Sequence, residues 1–303
     1  MKKILMLLII LLVGCAYKPE LNIPYENNVE IKVMFDEDLI KVIQILNDSK
    51  ELKCAFYDID EELLKILRDK KAELIIEKEN YNNYGIKDKN KYSMHNKFCI
   101  IDEKAIITGS MNPTDNGFYK NDNNMIYVES KSLAKNYLDE FNEMKSGNYG
   151  LGKRVKNPVF KINNETWENY FCPDDDCKGK ILDKLNMAKK SIYFMAFSFT
   201  DKEIAEILVK KGKTLDVQGV LERKRINMNY NQYDYLKNHI KVYPDNNPNT
   251  MHHKVFIIDE EIVIMGSMNP TESGNQRNDE NILIIQNKEI AHEFHQEFER
   301  IPK

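Results

Sequence analysis

The chain contains two copies of one segment, and this internal repeat constrains its fold more than any other feature. Residues 94–103, MHNKFCIIDE, recur 157 residues later as MHHKVFIIDE. The likeness continues without a gap into GSMNPT, which stands at 109–114 and again at 266–271. Upstream, Cys54-Ala55-Phe56 parallels Met195-Ala196-Phe197. The 303 residues are therefore two copies of one structural unit rather than two unrelated domains.

The hydrophobic pattern places each copy in the α/β class. In the second copy, Asp201 is predicted to cap a helix whose apolar residues are three and four apart, and an aliphatic and aromatic strand precedes it. The first copy repeats this order. Helices are predicted over 37–47, 61–69 and 179–190, and strands over 50–57, 73–77, 191–199 and 215–221. Such alternation favours mixed sheets with helices on both faces.

The repeat also predicts the domain boundaries. The first unit is assigned to residues 30–145 and the second to residues 168–303. Residues 146–167 are predicted to be a linker, because this segment opens with a run of glycines and short polar residues. Between the aligned strand and the histidine motif, the second unit is longer by 16 residues. One side of any shared cleft is therefore expected to be more built up than the other.

The first fifteen residues have the pattern of a targeting segment rather than of a folded element. Two lysines precede the apolar run 4–13, which has the length of a secretory signal and is too short to span a membrane. The run ends in Leu-Val-Gly-Cys, which resembles the lipobox of bacterial lipoproteins. This resemblance implies a signal peptide over 1–14, lipidation of Cys15, a tether over 15–29 and an extracytoplasmic protein that is lipid-anchored to a bacterial membrane. The alternative is a secreted protein in which Cys15 is incidental.

Charge limits the partners that the protein surface can hold. The sequence has 44 Lys+Arg and 48 Asp+Glu, a formal net charge of -4, and removal of residues 1–14 takes away two lysines and leaves -6. A broad basic field that binds nucleic acid non-specifically is therefore excluded. Any chemistry on phosphate must depend on a local cluster of cations.

The residues that can carry chemistry lie in the repeated strand. In an extended chain, side chains two residues apart point to the same face, so His95 projects with Lys97, and His252 with Lys254. The continuous apolar run after each lysine is typical of a strand that is buried on both faces.

The residues that follow each motif are predicted to support it. Asp102 and Asp259 lie about 16 Å beyond the lysine along a strand, so they are interpreted as turn residues that close and anchor the strand. After the hairpin, a hydroxyl and an amide return on the neighbouring strand of each copy, from Ser110, Asn112, Ser267 and Asn269.

His-x-Lys-x4-Asp followed by Gly-Ser-x-Asn, present twice, resembles the paired motif of the phospholipase D superfamily over nearly all of residues 30–300. The resemblance implies an α/β fold of two tandem α/β/α sandwich units with mixed sheets, related by a pseudo-twofold axis. Both motifs would meet in one cleft, so a monomer is sufficient for the active site. The family cleaves phosphodiesters through a phosphohistidine intermediate, with no metal ion or other cofactor. The catalytic residues carried over are His95, Lys97, His252 and Lys254.

These residue types suit an anionic substrate. Cations and hydrogen-bond donors must offset the charge of the non-bridging oxygens, a task assigned to the two lysines and to Asn112 and Asn269. One neutral histidine attacks while the other protonates the leaving alcohol. Ser110 and Ser267 are candidates for contacting the phosphate or for supporting the residues that do.

One difference between the copies predicts how the histidines divide these roles. The family commonly places an acid downstream of the motif to hydrogen-bond the histidine ring; Glu280 has that position after His252, whereas Asn123 has it after His95. Because a carboxylate raises the pKa of a histidine, Glu280 is predicted to partner His252 as the protonated acid. Asn123 is predicted to orient His95, which is then the neutral nucleophile.

The cysteines yield weaker predictions. Cys172 and Cys177 can close a small disulfide loop, which an extracytoplasmic site permits. A cation site on the three acids between them is disfavoured, because no histidine lies nearby. Cys54 and Cys99 fall inside apolar strands and are predicted to be buried thiols.

Motif and fold do not select the substrate. The predicted lipid anchor and the acidic composition favour a phospholipase D that hydrolyses head groups of membrane phospholipids and leaves phosphatidic acid. A nuclease acting on DNA or RNA and a head-group-exchanging phosphatidyltransferase are the alternatives, and a surface lipoprotein that only binds its partner is disfavoured by the two intact motifs. The run Arg223-Lys224-Arg225 follows a predicted strand end. Three alternatives remain for it: it binds an anionic head group, it binds a nucleic-acid backbone, or it is only a solvated loop.

Overall fold

A computed structural model of the protein describes residues 23–150 and 152–303. The predicted signal peptide, Cys15 and most of the predicted tether lie outside these residues. In the first half the elements are β1 (Tyr25–Glu26), β2 (Ile31–Phe35), α1 (Ile40–Asp48), β3 (Leu52–Phe56), α2 (Glu61–Asp69), β4 (Glu73–Ile76), β5 (Ile86–Lys87), β6 (Lys97–Ile101), β7 (Ala105–Gly109), α3 (Asp115–Tyr119), β8 (Asn124–Val128) and α4 (Lys131–Lys145).

The second half repeats this order with additions. Its elements are β9 (Val159–Ile162), β10 (Glu165–Cys172), α5 (Cys177–Met187), β11 (Ser191–Ala196), α6 (Lys202–Gly212), β12 (Asp216–Leu221), α7 (Tyr233–Lys237), β13 (Lys241–Pro244), β14 (Lys254–Ile258), β15 (Ile262–Gly266), α8 (Glu272–Gln276), β16 (Glu280–Gln286) and α9 (Lys288–Arg300). The helix predicted after Asp201 is α6, and the Asp201 side chain accepts a hydrogen bond from the Ile204 backbone N–H at its start.

The strands form two mixed sheets, as the sequence pattern predicted. The first sheet has the order β2-β8-β7-β6-β3-β4-β5, and the second has the order β1-β9-β10-β16-β15-β14-β11-β12-β13. In each sheet, the motif strand (β6 or β14) pairs antiparallel with the strand that precedes the first crossover helix (β3 or β11). Each motif therefore lies near the centre of its sheet.

The two sheets share one hydrophobic core. Helices α4 and α9 contribute to this core together with residues of both sheets, whereas two outer cores lie under the helices on the remaining faces. Tyr137 on α4 packs edge-on against Phe98 of the first sheet and Phe171 of the second, with ring centroids 4.9 and 5.0 Å apart. Burial of one such ring stabilises the fold by about 2 kcal/mol, so the two units are held together as one body.

The linker predicted over 146–167 was partly wrong. Residues from Val159 onward form β9 and β10, which belong to the second sheet, and β1 in the predicted tether pairs with β9. Asn163 and Asn164, with φ of 49° and 71°, form the two-residue turn of this hairpin. The asparagine pair was a usable turn signal, but the surrounding short strands lie outside the repeat and were not recognised.

The upstream alignment of the two copies was wrong by one residue. The backbone N–H of Tyr57 donates to the carbonyl of Asn96, and the N–H of Phe197 donates in the same way to His253. Tyr57 therefore corresponds to Phe197, although the sequence alignment placed Phe56 there. Both strands are continuously apolar, so their sequences contain no residue that marks the correct register of the alignment.

Two disulfides join the four described cysteines. Cys172 and Cys177, five positions apart, close a small loop at the start of α5. Cys54 and Cys99 stand directly opposite each other on β3 and β6 and are also bonded, so the prediction of buried thiols was wrong. Only the pairing register of the two strands brings these sulfurs together.

Among the described residues, we find no helix with the length and apolarity required to cross a membrane.

Candidate active site

The two histidine motifs meet where the units touch. His95 and His252 stand two residues before the first residue of β6 and β14, respectively. The backbone N–H of His95 donates to the Asp279 carbonyl at 2.9 Å, and that of His252 donates to the Asp122 carbonyl at 2.8 Å. Each histidine motif is thus held by the backbone of the opposite unit.

A buried glutamate fixes the residue in front of each histidine. Glu77 accepts the backbone N–H of Met94 at 2.6 Å, and Glu222 accepts that of Met251 at 2.7 Å. Burial raises the pKa of both carboxyls. Sequence reasoning missed these two glutamates. Each one directly follows the C-terminal end of a buried strand, β4 in the first sheet and β12 in the second.

Asp102 and Asp259 lie at the far end of the motif strands. Both adopt left-handed backbone conformations, with φ of 52° and 56°. Asp102 Oδ1 accepts the backbone N–H groups of Lys50 and Glu51, and Asp259 accepts those of residues 189–191. They tie the motif strand to the start of its neighbour and do not contact the histidines.

The partners of the histidines are exchanged between the units, and the predicted pairing was wrong. Glu280 Oε2 lies 2.7 Å from Nδ1 of His95, and Asn123 Oδ1 lies 3.0 Å from Nδ1 of His252. The reason is that the segments carrying Glu280 and Asn123 run beside the motif of the opposite unit. Position along the sequence cannot show this exchange.

These contacts define the tautomer of each ring. A carboxylate only accepts, so Nδ1 of His95 donates to Glu280 and Nε2 of the neutral ring keeps its lone pair. The Asn123 amide is oriented by its Nδ2, which donates to the Gly117 carbonyl at 3.2 Å, and by the Ser110 hydroxyl, which donates to its Oδ1 at 3.1 Å. That Oδ1 therefore accepts the Nδ1–H of His252.

The motif lysines are buried beside their histidines. Lys97 Nζ donates to the His95 carbonyl at 2.6 Å, and Lys254 Nζ donates to the His252 carbonyl at 2.7 Å. Burial lowers the pKa of Lys97 to about 7 and lowers that of Lys254 well below its ordinary value. Within the described chain neither lysine forms an ion pair, and Glu280 is a nearby carboxylate that opposes the lowering of both pKa values. An anion that enters the site would favour the ammonium form of each lysine.

The histidine rings are also shifted toward the neutral form. Burial, opposed by the Glu280 carboxylate, lowers the pKa of His95. Burial and the positive charges of Lys254 and Lys97 lower the pKa of His252 well below its ordinary value. His95 therefore has a negative neighbour that favours its cation, whereas His252 has only a neutral amide and two lysines.

The two motif serines support the site from inside. Ser110 and Ser267 are fully buried, and their hydroxyls accept the backbone N–H groups of Asn124 and Asn281 at 3.0 Å. Of the roles predicted for them, this geometry favours positioning rather than contact with phosphate.

Asn112 and Asn269 are only partly buried. In the described part of the chain, the Oδ1 atoms of these two asparagines have no hydrogen-bond partner. Only the Nδ2 groups of these amides could donate a hydrogen bond to an anion.

Each histidine packs against one aromatic ring, a tyrosine in the first unit and a phenylalanine in the second. Tyr57 packs edge-on against His95, and Phe197 packs edge-on against His252, with ring centroids 5.0 and 4.7 Å apart. The Arg225 guanidinium stacks over Phe197 at 4.4 Å. Sequence reasoning missed both rings because the upstream alignment was displaced.

The chain matches the family described as "Cardiolipin synthase, PLD-like domain" over residues 20–145 and 181–302. It is 28% identical over 173 residues to "Phospholipase D" of Rickettsia prowazekii (strain Madrid E), which covers 56% of this chain and 82% of that relative. It is 33% identical over 127 residues to human "Mitochondrial cardiolipin hydrolase", which covers 41% of this chain and 50% of that relative. The solved phosphatidylserine synthase of Haemophilus influenzae Rd KW20 superposes with a TM-score of 0.65 at 10% identity over 88% of this chain and 85% of that one, and shows a shared fold.

Proposed function

The chain belongs to the PLD-like domain family, and on that basis we propose that it is a metal-independent phosphodiesterase that hydrolyses phospholipid head groups through a phosphohistidine at His95. The observation that carries the proposal is the meeting of the two motifs, in which Nδ1 of each histidine is held by an acceptor from the opposite unit. Both Nε2 atoms are thereby left for chemistry.

In the first step, Nε2 of His95 attacks phosphorus and the bond to the leaving oxygen breaks. The leaving alcohol takes a proton from Nε2 of His252. In the second step, His252 takes a proton from water, the hydroxide oxygen attacks phosphorus, and the bond to His95 breaks. His252 is then protonated again and His95 is neutral, so one turnover consumes one water molecule.

The exchanged partners support this division of roles for a different reason from the one that the sequence indicated. A phosphorylated imidazole carries positive charge through the life of the intermediate, and the Glu280 carboxylate stabilises that charge at His95. His252 must instead give up its proton readily. A neutral amide at Asn123 leaves its pKa low, which makes the imidazolium a stronger acid.

Substrate binding provides the protonated form of His252. In the empty site, burial and two lysines disfavour its cation. A phosphodiester brings one negative charge between the same groups and raises the pKa of His252 when it binds. The two lysines, with Asn112 and Asn269, hold the non-bridging oxygens.

Replacing Asn123 with Asp is expected to extend activity to higher pH. The acid step needs protonated His252, so kcat/KM falls as the pH rises through its pKa. A carboxylate at this position raises that pKa, and the alkaline fall should move up by about one pH unit. The measurement is the pH profile of kcat/KM on a substrate with a poor leaving group. The control Asn121→Asp adds the same charge two residues away and should leave the profile unchanged; equal shifts in both variants would refute the role of Asn123.

Three observations support a lipid substrate. The relatives that match are named for phospholipase D and cardiolipin hydrolase activity. The predicted signal and Cys15 would place the cleft beside a membrane, and two disulfides are typical of an extracytoplasmic address. The net negative charge does not help nucleic acid to bind.

The substrate test compares the full chain with its His95→Ala variant on phosphatidylcholine vesicles and on single- and double-stranded DNA, all in EDTA. We expect choline release by the wild type and none by the variant. DNA cleavage without choline release would replace the lipid proposal with the nuclease alternative, and loss of activity in EDTA would refute the metal-independent mechanism.

A further inference from the structure

We propose that the segment Glu222–Gln232, here called the rim loop, docks the mouth of the active site onto an anionic phospholipid bilayer. This inference builds on the proposed function, because it names the surface on which that site would work.

The rim loop lies against the catalytic residues. Its Arg225 stacks on Phe197, and Phe197 packs edge-on against His252, so two contacts of 4.4 and 4.7 Å connect the loop with the ring. Glu222 at its start holds the backbone of Met251. Whatever the tip of the loop binds is therefore brought next to His252.

The tip exposes apolar and aromatic side chains. Met228 is 50% exposed and Tyr230 is 81% exposed, and Asn227 and Asn229 beside them are also exposed. Tyr230 adopts a left-handed conformation, with φ of 66°, which is unfavourable for a bulky residue. Tyrosine and methionine at such a site lose little by leaving water, and tyrosine is enriched where a membrane meets water.

Positive charge lies next to this tip. Arg223, Lys224 and Arg225 are consecutive, and among the residues that the structure describes none of them forms an ion pair with a carboxylate. Arg223 and Lys224 bond backbone carbonyls of Asp245 and Asn249 instead. In an otherwise acidic protein, three such cations complement the anionic head groups of a bilayer.

The rim loop belongs to a connection that is longer in the second unit than in the first. Glu222 and Asp245 are 23 positions apart, whereas their counterparts Glu77 and Asp88 are 11 positions apart. The counterparts are identified by matching contacts: Asp88 accepts the backbone N–H of Lys78, and Asp245 accepts that of Arg223. The connection from β12 to β13 is therefore longer than that from β4 to β5, and it contains α7 in addition to the rim loop.

The test places a reporter on the loop tip. In the full chain carrying Cys15→Ser, the remaining cysteines are in disulfides, so Met228→Cys introduces a single free thiol for an environment-sensitive fluorophore. Met187→Cys is the matched control, because Met187 is 62% exposed at the C-terminal end of α5, which leads to the end of β14 opposite His252.

With vesicles of phosphatidylglycerol and phosphatidylcholine, we expect a blue shift at position 228 that high salt reverses, and none at position 187. Weaker response to phosphatidylcholine alone is also expected. Equal responses at the two positions, no response at 228, or a response at 228 only to single-stranded DNA would each overturn the proposal.

A second variant separates docking from chemistry. Met228→Ser combined with Tyr230→Ser should lower hydrolysis on anionic vesicles by about tenfold, because the two side chains that enter the bilayer interface are lost. Its activity on soluble bis(p-nitrophenyl) phosphate should equal that of the wild type. If the wild type binds vesicles through the reporter site but releases no head group, the docking proposal stands and the proposed function fails. Unchanged vesicle hydrolysis in the double variant would refute docking by the loop.

Discussion

Replacing His95 with Asn is expected to abolish formation of the phosphoenzyme and to lower kcat by about 10⁴-fold. In the proposed mechanism Nε2 of His95 attacks phosphorus, and asparagine has no nucleophile to take its place. The loss should be the same for every substrate, because no leaving group can compensate for a missing attack. The measurements are steady-state rates and labelling with a ³²P-containing phosphodiester, quenched with denaturant at alkaline pH because the phosphorus–nitrogen bond of a phosphohistidine breaks in acid.

His252→Asn should behave differently, and its behaviour depends on the leaving group. With an alkoxide leaving group, the missing acid stops the first step. With p-nitrophenolate, which leaves without a proton, the first step proceeds but the missing base stops hydrolysis of the intermediate. On bis(p-nitrophenyl) phosphate we expect a burst of one p-nitrophenolate per enzyme, followed by a stall with a p-nitrophenyl phosphoryl group on His95.

The two variants together test the assignment of roles. His239→Asn, which changes an exposed histidine of the second unit, serves as the control and should retain wild-type rates. A burst from His95→Asn with label on His252 would reverse the assignment. Absence of label in both variants would argue against a covalent intermediate altogether.

Much of the fold follows from the repeat. Two matched His-x-Lys strands, each followed by a hairpin, predicted two similar mixed sheets because continuous apolar runs must be buried on both faces. The helix over 61–69 was predicted with its observed bounds, since Leu63, Leu64 and Leu67 mark one apolar face. Elements outside the repeat, such as β9 and β10, had no second copy to reveal them.

Contacts that depend on strand register were not predictable. The Cys54–Cys99 bond exists because β3 and β6 pair with these residues opposite each other. A shift of one residue would point the two sulfurs to different faces. The exchange of Glu280 and Asn123 has the same origin, because it depends on which unit's backbone the segments 122–124 and 279–281 lie beside.

Because Glu280 and Asn123 each contact the histidine of the opposite unit, the two units form one site. Buried contacts continue behind the histidines: Asn281 donates to Asn96 at 2.8 Å, and His253 contacts Asn124 at 2.9 Å and Glu297 at 2.7 Å. The Asn281–Asn96 and His253–Asn124 contacts cross between the units, whereas the His253–Glu297 contact lies within the second unit. A unit separated from its partner would keep its nucleophile or acid but lose the group that orients it.

Replacing Glu280 with Gln tests this exchange most directly, and we expect kcat to fall by about 10² to 10³-fold. Glutamine keeps the shape and can still accept the Nδ1–H of His95, so the loss reflects the missing negative charge beside the phosphorylated ring. On bis(p-nitrophenyl) phosphate, the burst itself should become slow, because attack by His95 is impaired. If Glu280 instead served His252, as its position after that histidine suggested, the burst would stay fast and only the later hydrolysis would slow.

The pH dependence of Glu280→Gln is an independent test of whether this carboxylate acts on His95. His95 must be neutral to attack, so the rate rises with pH through its pKa, and the Glu280 carboxylate raises that pKa. Removing the charge lowers the pKa, and the residual activity of Glu280→Gln should therefore persist to lower pH than that of the wild type. Glu289→Gln, an exposed change on α9 of the same unit, should alter neither the burst nor the profile. An unchanged acid limb in Glu280→Gln would mean that the carboxylate does not act on His95, whatever happened to kcat.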